Sequence, residues 1–509
     1  MSPTTGGARL RRAAVILLVA MMAGAAVAAP VTLTTSDGTV TLHGRLLGFD
    51  GEVYRLGTDG TTLAVDAGHV TCTGAACPQG PPPARLRMQG PPELAERLMP
   101  GLIGAFALSR GLKVARARPA PGVLRITLAD GDGRGRAVFT LRGSDTGAAF
   151  AALAAGQAEL ALATRPPSAQ ERRAMRAAGR GDPADPALSR RIGRDVLVPV
   201  TAPGSTLRSL DLGALSRRLQ GRGGAGTVRL ARSPAMAPGS ALSEQLVADA
   251  VRPVRRFARA GALARAVAAT PGALAVTAKS LAGAARVVTL EDDCGHILPV
   301  TPAAIRAGDT PLALDYRLHF SVTPLPPLGR EFLRFLDGPL AWRVVESAGL
   351  ISERIRATPL DAQGGRLADA IMAADNAVPL AETRRMARIL AGAARLSLDL
   401  RFAPGESTPD ATARHELARL AAAIDAGAYE GRAFIVAGFS DGQGPWQMNR
   451  EVAGERAEAV RAGLLARLLR TDPASVTIRA EAFGEALPMA CDNADWGRRI
   501  NRRVEIWVR

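Results

Sequence analysis

Asp441 and Arg456 are the residues whose types and spacing could do the most specific chemistry in this chain. The run Phe434-Ile-Val-Ala-Gly438 has the pattern of a strand, and Phe439-Ser-Asp-Gly follows as a loop. Pro445 is a good first helical residue. The spacing then predicts a helix through Asn449, Val452, Arg456, Val460, Leu464 and Leu468. Ala453, Ala457, Val460 and Leu464 would form its core stripe, and Arg456 lies one turn from Val452 and Val460. A guanidinium flanking a buried face needs a partner. If the helix folds back over the strand end, Asp441 and Arg456 converge. Aspartate takes an ammonium, and arginine takes a carboxylate through a two-bond fork. The pair would then receive a zwitterion; the alternative is a structural salt bridge.

The flanking residues carry a resemblance. Gly438-Phe-Ser-Asp441-Gly, Asn449-x-x-Val452-Ala453-x-x-Arg456-Ala457, Phe483-Gly484-Glu-Ala-Leu-Pro488 and Asn501-Arg502-Arg503-Val504-Glu505-Ile506 occur in order. Phe402-x-x-Gly405, then Leu417 and Leu420, precede them. Together they resemble the OmpA-like peptidoglycan-binding domain over residues 393–509. The resemblance implies that Asp441 and Arg456 hold the two ends of diaminopimelate in the peptide stem. It implies a supporting role for Asn449 and a further contact from Arg502 or Arg503. Ser440 stands where the family has threonine, and Val452-Ala453 replaces a Leu-Ser pair.

The elements that must position this pair belong to a longer chain of 509 residues, enough for several cores. Arg9, Arg11 and Arg12 precede an apolar stretch, Ala13 to Val27, and Ala26-Val-Ala28 is a cleavage pattern. Residues 1–29 thus read as a secretory signal peptide, leaving no membrane span in the mature chain. Residues 30–78 alternate in strand fashion, with Asp37-Gly38, Asp50-Gly51 and Asp59-Gly60 between runs, which predicts hairpins. The expected fold is a small SH3-like or Sm-like β-barrel. After a proline-rich linker, residues 84–355 alternate strands and helices, predicting a parallel α/β sheet in two lobes. Residues 356–392 read as a helical connector. The fold class is multidomain α/β: barrel, two-lobed α/β domain, and C-terminal α+β sandwich at 393–509.

The middle segment carries a second resemblance. Gly143-Ser144 precedes a helix, Phe150-x-x-Leu153-x-x-Gly156 leads to Ala158-Glu-Leu-Ala-Leu-Ala-Thr164-Arg165, and Gly193-Arg-Asp-Val-Leu-Val-Pro-Val200 follows. Pro271-Gly-Ala-Leu-Ala-Val276 and Cys294-Gly295 come later. The layout resembles the phosphate-type periplasmic substrate-binding proteins of ABC transporters. Such proteins hold oxyanions with hydroxyls, helix N-terminal amides and an arginine. The resemblance points to Ser144, Thr164, Arg165, Arg232, Gly239 and Ser240 as anion-binding residues. Gly90-Pro91-Pro92 and Pro238 replace hydroxyl-bearing loops, and proline also removes an amide donor. The fold therefore either captures a small anion such as phosphate or has turned to protein interactions.

Net charge is +17, spread along the chain as arginine with Lys113 and Lys279 the lysines, and aromatics are 4% of residues. This is not the basic, aromatic-studded stripe of a nucleic-acid binder. Four cysteines suit an oxidising compartment and allow three pairings. Cys72 and Cys77 could close a small loop, which would leave Cys294 and Cys491 to pair across domains. Five histidines without ligand spacing predict no metal, and no cofactor is expected. No nucleophile elbow, HExxH, phosphate loop or dinucleotide fingerprint is present, so catalysis is not expected. The expected setting is the periplasm, held non-covalently to peptidoglycan, at the inner face of the outer membrane if anywhere more specific. Two functions follow. One is a wall-anchored receptor for a small anion; the other is a scaffolding envelope protein whose middle domain has lost its solute.

Overall fold

The computed structural model describes residues 30–58, 60–78, 80, 82–220, 222, 228–232, 255–257, 260–373 and 378–509. The proposed signal peptide, Asp59, Gly239 and Ser240 lie outside these. The chain divides into two compact units, Met1–Pro82 and Pro83–Arg509. Among the described residues no helix is long and apolar enough to cross a membrane.

The first unit has five antiparallel strands: Pro30–Thr35, Thr41–Phe49, Val53–Thr58, Thr61–Asp66 and Val70–Thr73. Aspartates shape the turns. Asp37 accepts from the Thr35 and Thr39 hydroxyls, and Asp50 accepts from the Glu52 and Val53 amides. Gly38 and Gly51 follow with φ of 71° and 104°, which suits residues lacking Cβ. Val31, Leu33, Tyr54 and Leu56 form the small core. The expected barrel is not closed among the described residues. The last strand pairs with the first, but nothing joins Thr61–Asp66 to Val70–Thr73. Cys72 and Cys77 form the short disulfide.

In the second unit a long sheet is mixed rather than parallel. Ala84–Gly90 runs parallel to Gly135–Gly143 and Leu160–Ala163. Lys113–Ala120 and Val123–Ala129 add an antiparallel hairpin at one edge. Two lobes arise because Ser189–Thr201 pairs with Ala313–Phe320 over its first part and with Ala273–Ala278 over its second. This strand is buried along nearly its whole length, which explains the continuous run Val196-Leu-Val-Pro-Val200. Phe106, Phe139 and Phe332 pack between the first lobe's sheet and its helices.

His319 lies in that lobe, 1% exposed, its Nδ1 3.0 Å from the Pro183 carbonyl. Burial, aided by Arg317, pushes its pKa from 6.5 down to about 4. The fold therefore favours the neutral ring. Its contribution is intact above pH 6.5 and is lost as pH falls toward 4, at about 1.4 kcal/mol per pH unit. Denaturant titrations at pH 7, 6 and 5 should show this slope, and His319→Leu should flatten it.

The C-terminal sheet has the order Ala357–Pro359, Ala394–Leu396, Arg503–Val508, Phe434–Phe439, Ile478–Ala482. Ala411–Asp425 and Trp446–Leu465 cover one face through Leu417, Leu420, Val460 and Leu464. The segment read as a connector is part of this domain. Its strand Ala357–Pro359 joins the sheet, and Met386 and Leu390 cover the second face with Ile435, Phe439 and Trp507. Residues 396–402 are less regular than a single strand, with sheet pairing confined to Ala394–Leu396 and a bridge at Arg401.

The middle and C-terminal domains are joined by buried charge. Arg306 and Glu416, both 0% exposed, form a two-bond pair at 3.0 and 2.6 Å. Asp309 accepts from Arg395 at 2.5 and 2.9 Å and from Arg401 at 2.6 Å. Burial works to raise the Asp309 pKa, but Arg395 and Arg401 outweigh it and hold the carboxyl below its usual range. Cys294 and Cys491 close the second disulfide across the same interface, and Asp292 accepts from the Cys491 amide at 2.6 Å. Asp292 and His296 cluster with Cys294, but the Cys294 sulfur is bonded to Cys491 and offers no thiolate.

Candidate functional site

Asp441 follows the buried strand Phe434–Phe439, at the point where the chain leaves the sheet. Gly438 lets that strand approach the helix Trp446–Leu465, since a Cβ there would strike the Ala453 carbonyl. The loop is held from outside. The Ser440 amide donates to Gly484 at 2.9 Å, and the Gly442 amide donates to Asp492 at 2.6 Å.

The two predicted residues are brought to one place without bonding each other. Asp441 accepts from Arg502 Nη1 at 2.5 Å. Their side chains remain 14% and 10% exposed. Arg456 lies deeper, 1% exposed. Its Nε donates to the Glu406 carbonyl at 2.9 Å, and its guanidinium lies over the Phe402 ring at 5.4 Å. Among the described residues its Nη1 is buried without a hydrogen-bond partner. Burial lowers the Arg456 pKa, and the nearby Arg502 cation lowers it further; Asp441 and Glu455 act the other way. An unpaired buried donor costs about 1–3 kcal/mol, so this nitrogen is a strong receptor for any oxyanion that reaches it. The Glu406 carbonyl that receives Nε belongs to the exposed loop 403–406.

The supporting residues divide. Arg502 occupies the site. Arg503 does not: it is 1% exposed, bonded to Glu505 at 2.7 Å and to the Leu487 carbonyl at 2.8 Å, and stacked at 4.2 Å on Phe439. Its place in the strand Arg503–Val508 turns it into the core. Asn449 donates to Glu485 rather than toward Asp441. Glu485 and Asp492 are additions that charge spacing did not reveal. Burial raises the Glu485 pKa, with Asp492 and Asp441 adding to it. Asp441 therefore stands at an acidic rim with a cationic floor, which suits a ligand carrying an ammonium outward and a carboxylate inward.

The predicted anion set is not assembled as an open receptor. The Ser144 hydroxyl donates to the Asp145 carbonyl at 2.9 Å. Thr164, 3% exposed, bonds through its amide to Thr146. Arg165 is locked to Glu171 at 2.8 and 2.6 Å. The helix N-terminus that could attract an anion already holds a carboxylate: Asp145 caps Thr146–Ala154. Glu96 adds a second carboxylate close to Gly143. Arg232 ends the strand Val228–Arg232, with its side chain outside the described residues.

The family model described as OmpA family matches residues 401–502. No curated protein matches the chain. An ABC-type phosphate transport receptor from Vibrio cholerae is 13% identical, with 52% of this chain and 99% of that chain covered and a TM-score of 0.38. The peptidoglycan-associated lipoprotein from Burkholderia pseudomallei is 20% identical over 27% of this chain and 98% of that one, with a TM-score of 0.19. The C-terminal domain of Helicobacter pylori MotB is 22% identical over 22% and 82%, with a TM-score of 0.19. The OmpA family match at residues 401–502 thus falls on the C-terminal sheet and its helices and includes Asp441, Arg456 and Arg502.

Proposed function

We propose that this is a peptidoglycan-bound protein of the cell envelope, and that its middle domain serves as a scaffold rather than a solute receptor or an enzyme. The observation that carries the first half is the buried, unpartnered Nη1 of Arg456 close to the Asp441–Arg502 pair. A diaminopimelate carboxylate would satisfy the nitrogen, and its ammonium would exchange with Arg502 for Asp441. The second half rests on the self-satisfied residues Ser144, Thr164 and Arg165, and on carboxylates standing where an anion would bind.

The test is sedimentation of the full chain with purified sacculi. Asp441→Ala or Arg456→Ala should weaken binding by at least about tenfold, the value of one charge-assisted contact. Retained sedimentation by both variants would refute the site. For the middle domain, phosphate and sulfate should leave the melting temperature of the full chain unchanged. Stabilisation that saturates with concentration would restore the receptor reading.

A further inference from the structure

In the first lobe of the middle domain the helix Thr146–Ala154 covers the sheet face opposite the core over Leu160–Ala163 and the end of Ala84–Gly90, and beyond it that face is exposed and cationic. Its edge strands, in order, are Lys113–Ala120, Val123–Ala129, Gly135–Gly143 and Ala84–Gly90. None of the four contains Asp or Glu. The core side of the sheet carries Leu86, Met88, Leu124, Ile126, Leu128, Phe139 and Leu141. Strand alternation places Arg85, Arg87, Arg125, Arg136 and Arg142 on the other side, all exposed.

The register makes them a grid. Arg87 pairs across Thr140 with Arg125, Arg85 across Val138 with Thr127, and Arg142 with Val123. Rows of like-facing residues repeat about every 6.7 Å along a strand, and neighbouring strands are about 4.8 Å apart. Glu159, from outside the four strands, neutralises Arg87 at 2.5 Å. Among the described residues Arg85, Arg125, Arg136 and Arg142 have no acidic partner. The helix Thr146–Ala154 touches this face at Gln89, through the Ala148 carbonyl. Elsewhere in this unit some exposed arginines are paired, such as Arg176 on Asp182 and Arg110 on Glu331.

We propose that this face docks a linear phosphate polyanion that carries no bases. The charge pattern selects the sign, and each guanidinium can take phosphate oxygens through a planar two-bond fork. The face presents Thr127, Val138 and Thr140 between the arginines and no aromatic ring, because Phe139 points to the core. Single-stranded nucleic acid is disfavoured for that reason, since base stacking needs aromatic platforms. The proposal does not depend on the peptidoglycan site, which is built from other residues.

The test uses the full chain and long-chain polyphosphate, with affinity measured across a salt series. A variant with Arg85, Arg125, Arg136 and Arg142 each changed to Gln is compared with one carrying Arg173, Arg354, Arg432 and Arg470 changed to Gln. The second set is also exposed, so both variants have the same net charge and should keep the wild-type melting temperature. The face variant should lose at least about tenfold in affinity and show a shallower salt dependence, while the control stays within about threefold. Equal losses in both variants would mean bulk charge and overturn the site, as would no binding by the unaltered chain. Tighter binding of duplex DNA or of anionic vesicles through the same four arginines would overturn the partner class.

Discussion

Glu416→Ala should destabilise the chain by about 3–5 kcal/mol, the usual cost of leaving one member of a buried ion pair alone. Arg306 would keep its charge at 0% exposure and lose both bonds to Glu416. The nearest remaining acid, Glu353, stands 3.8 Å from Arg306 and is already shared with Arg191, Arg194 and Arg419. A shift of the urea midpoint measures the loss. Added salt should rescue little, since a buried pair is weakly screened. Arg306→Leu combined with Glu416→Leu should recover much of the stability, because an apolar pair needs no counter-charge. If the double variant is as unstable as the single one, the pair does more than satisfy its own charges. Acid should act late. Burial works to raise the Glu416 pKa, yet Arg306 keeps it below 4.5, so this contribution is intact at neutral pH and fades only as pH falls through the lowered value.

That pair also shows where the sequence stops being readable. Leu396, Leu398, Leu400 and Phe402 alternate with Arg395, Ser397, Asp399 and Arg401. Alternation of this kind is ordinarily that of a half-buried strand with one side in water. The apolar set does face the domain core. The polar set faces the middle domain: Arg395 and Arg401 take Asp309, and Asp399 lies 3.6 Å from Arg194. Charge on one chain segment looks like solvent exposure until the segment carrying the opposite charge is known. The same reason hid Arg502 as the partner of Asp441, sixty-one positions away. Local signals fared better. Asp37-Gly38 and Asp50-Gly51 form the turns their residue types require. The strand, loop and helix around Asp441 lie close to where the pattern put them, because hydrophobic period acts over a few residues; Pro445 is the extended cap rather than the first helical residue, and the helix ends at Leu465, before Leu468. The alanine-rich stretch at 356–392 misled because it carries few large residues. Met386 and Leu390 nonetheless close the second face of the sheet.

Replacing Cys294 and Cys491 together by Ser isolates the second joint between these domains. The bond spans 197 residues of chain. In the chain-entropy model a loop of that length is worth about 5 kcal/mol, all of it from constraining the unfolded state. The ion pairs act in the folded state, so the two contributions should add where their residues do not touch. Asp292 complicates this simple sum, since it receives the Cys491 amide and the Cys294 amide at once. These bonds survive loss of the sulfurs and hold the two segments in register. The folded structure of the Ser variant should therefore be unchanged, with the deficit appearing as a lower unfolding midpoint. A loss below about 1 kcal/mol would mean that the unfolded chain is already compact near these segments. A loss accompanied by separate melting of the two domains would show that the ionic interface cannot hold them together unaided.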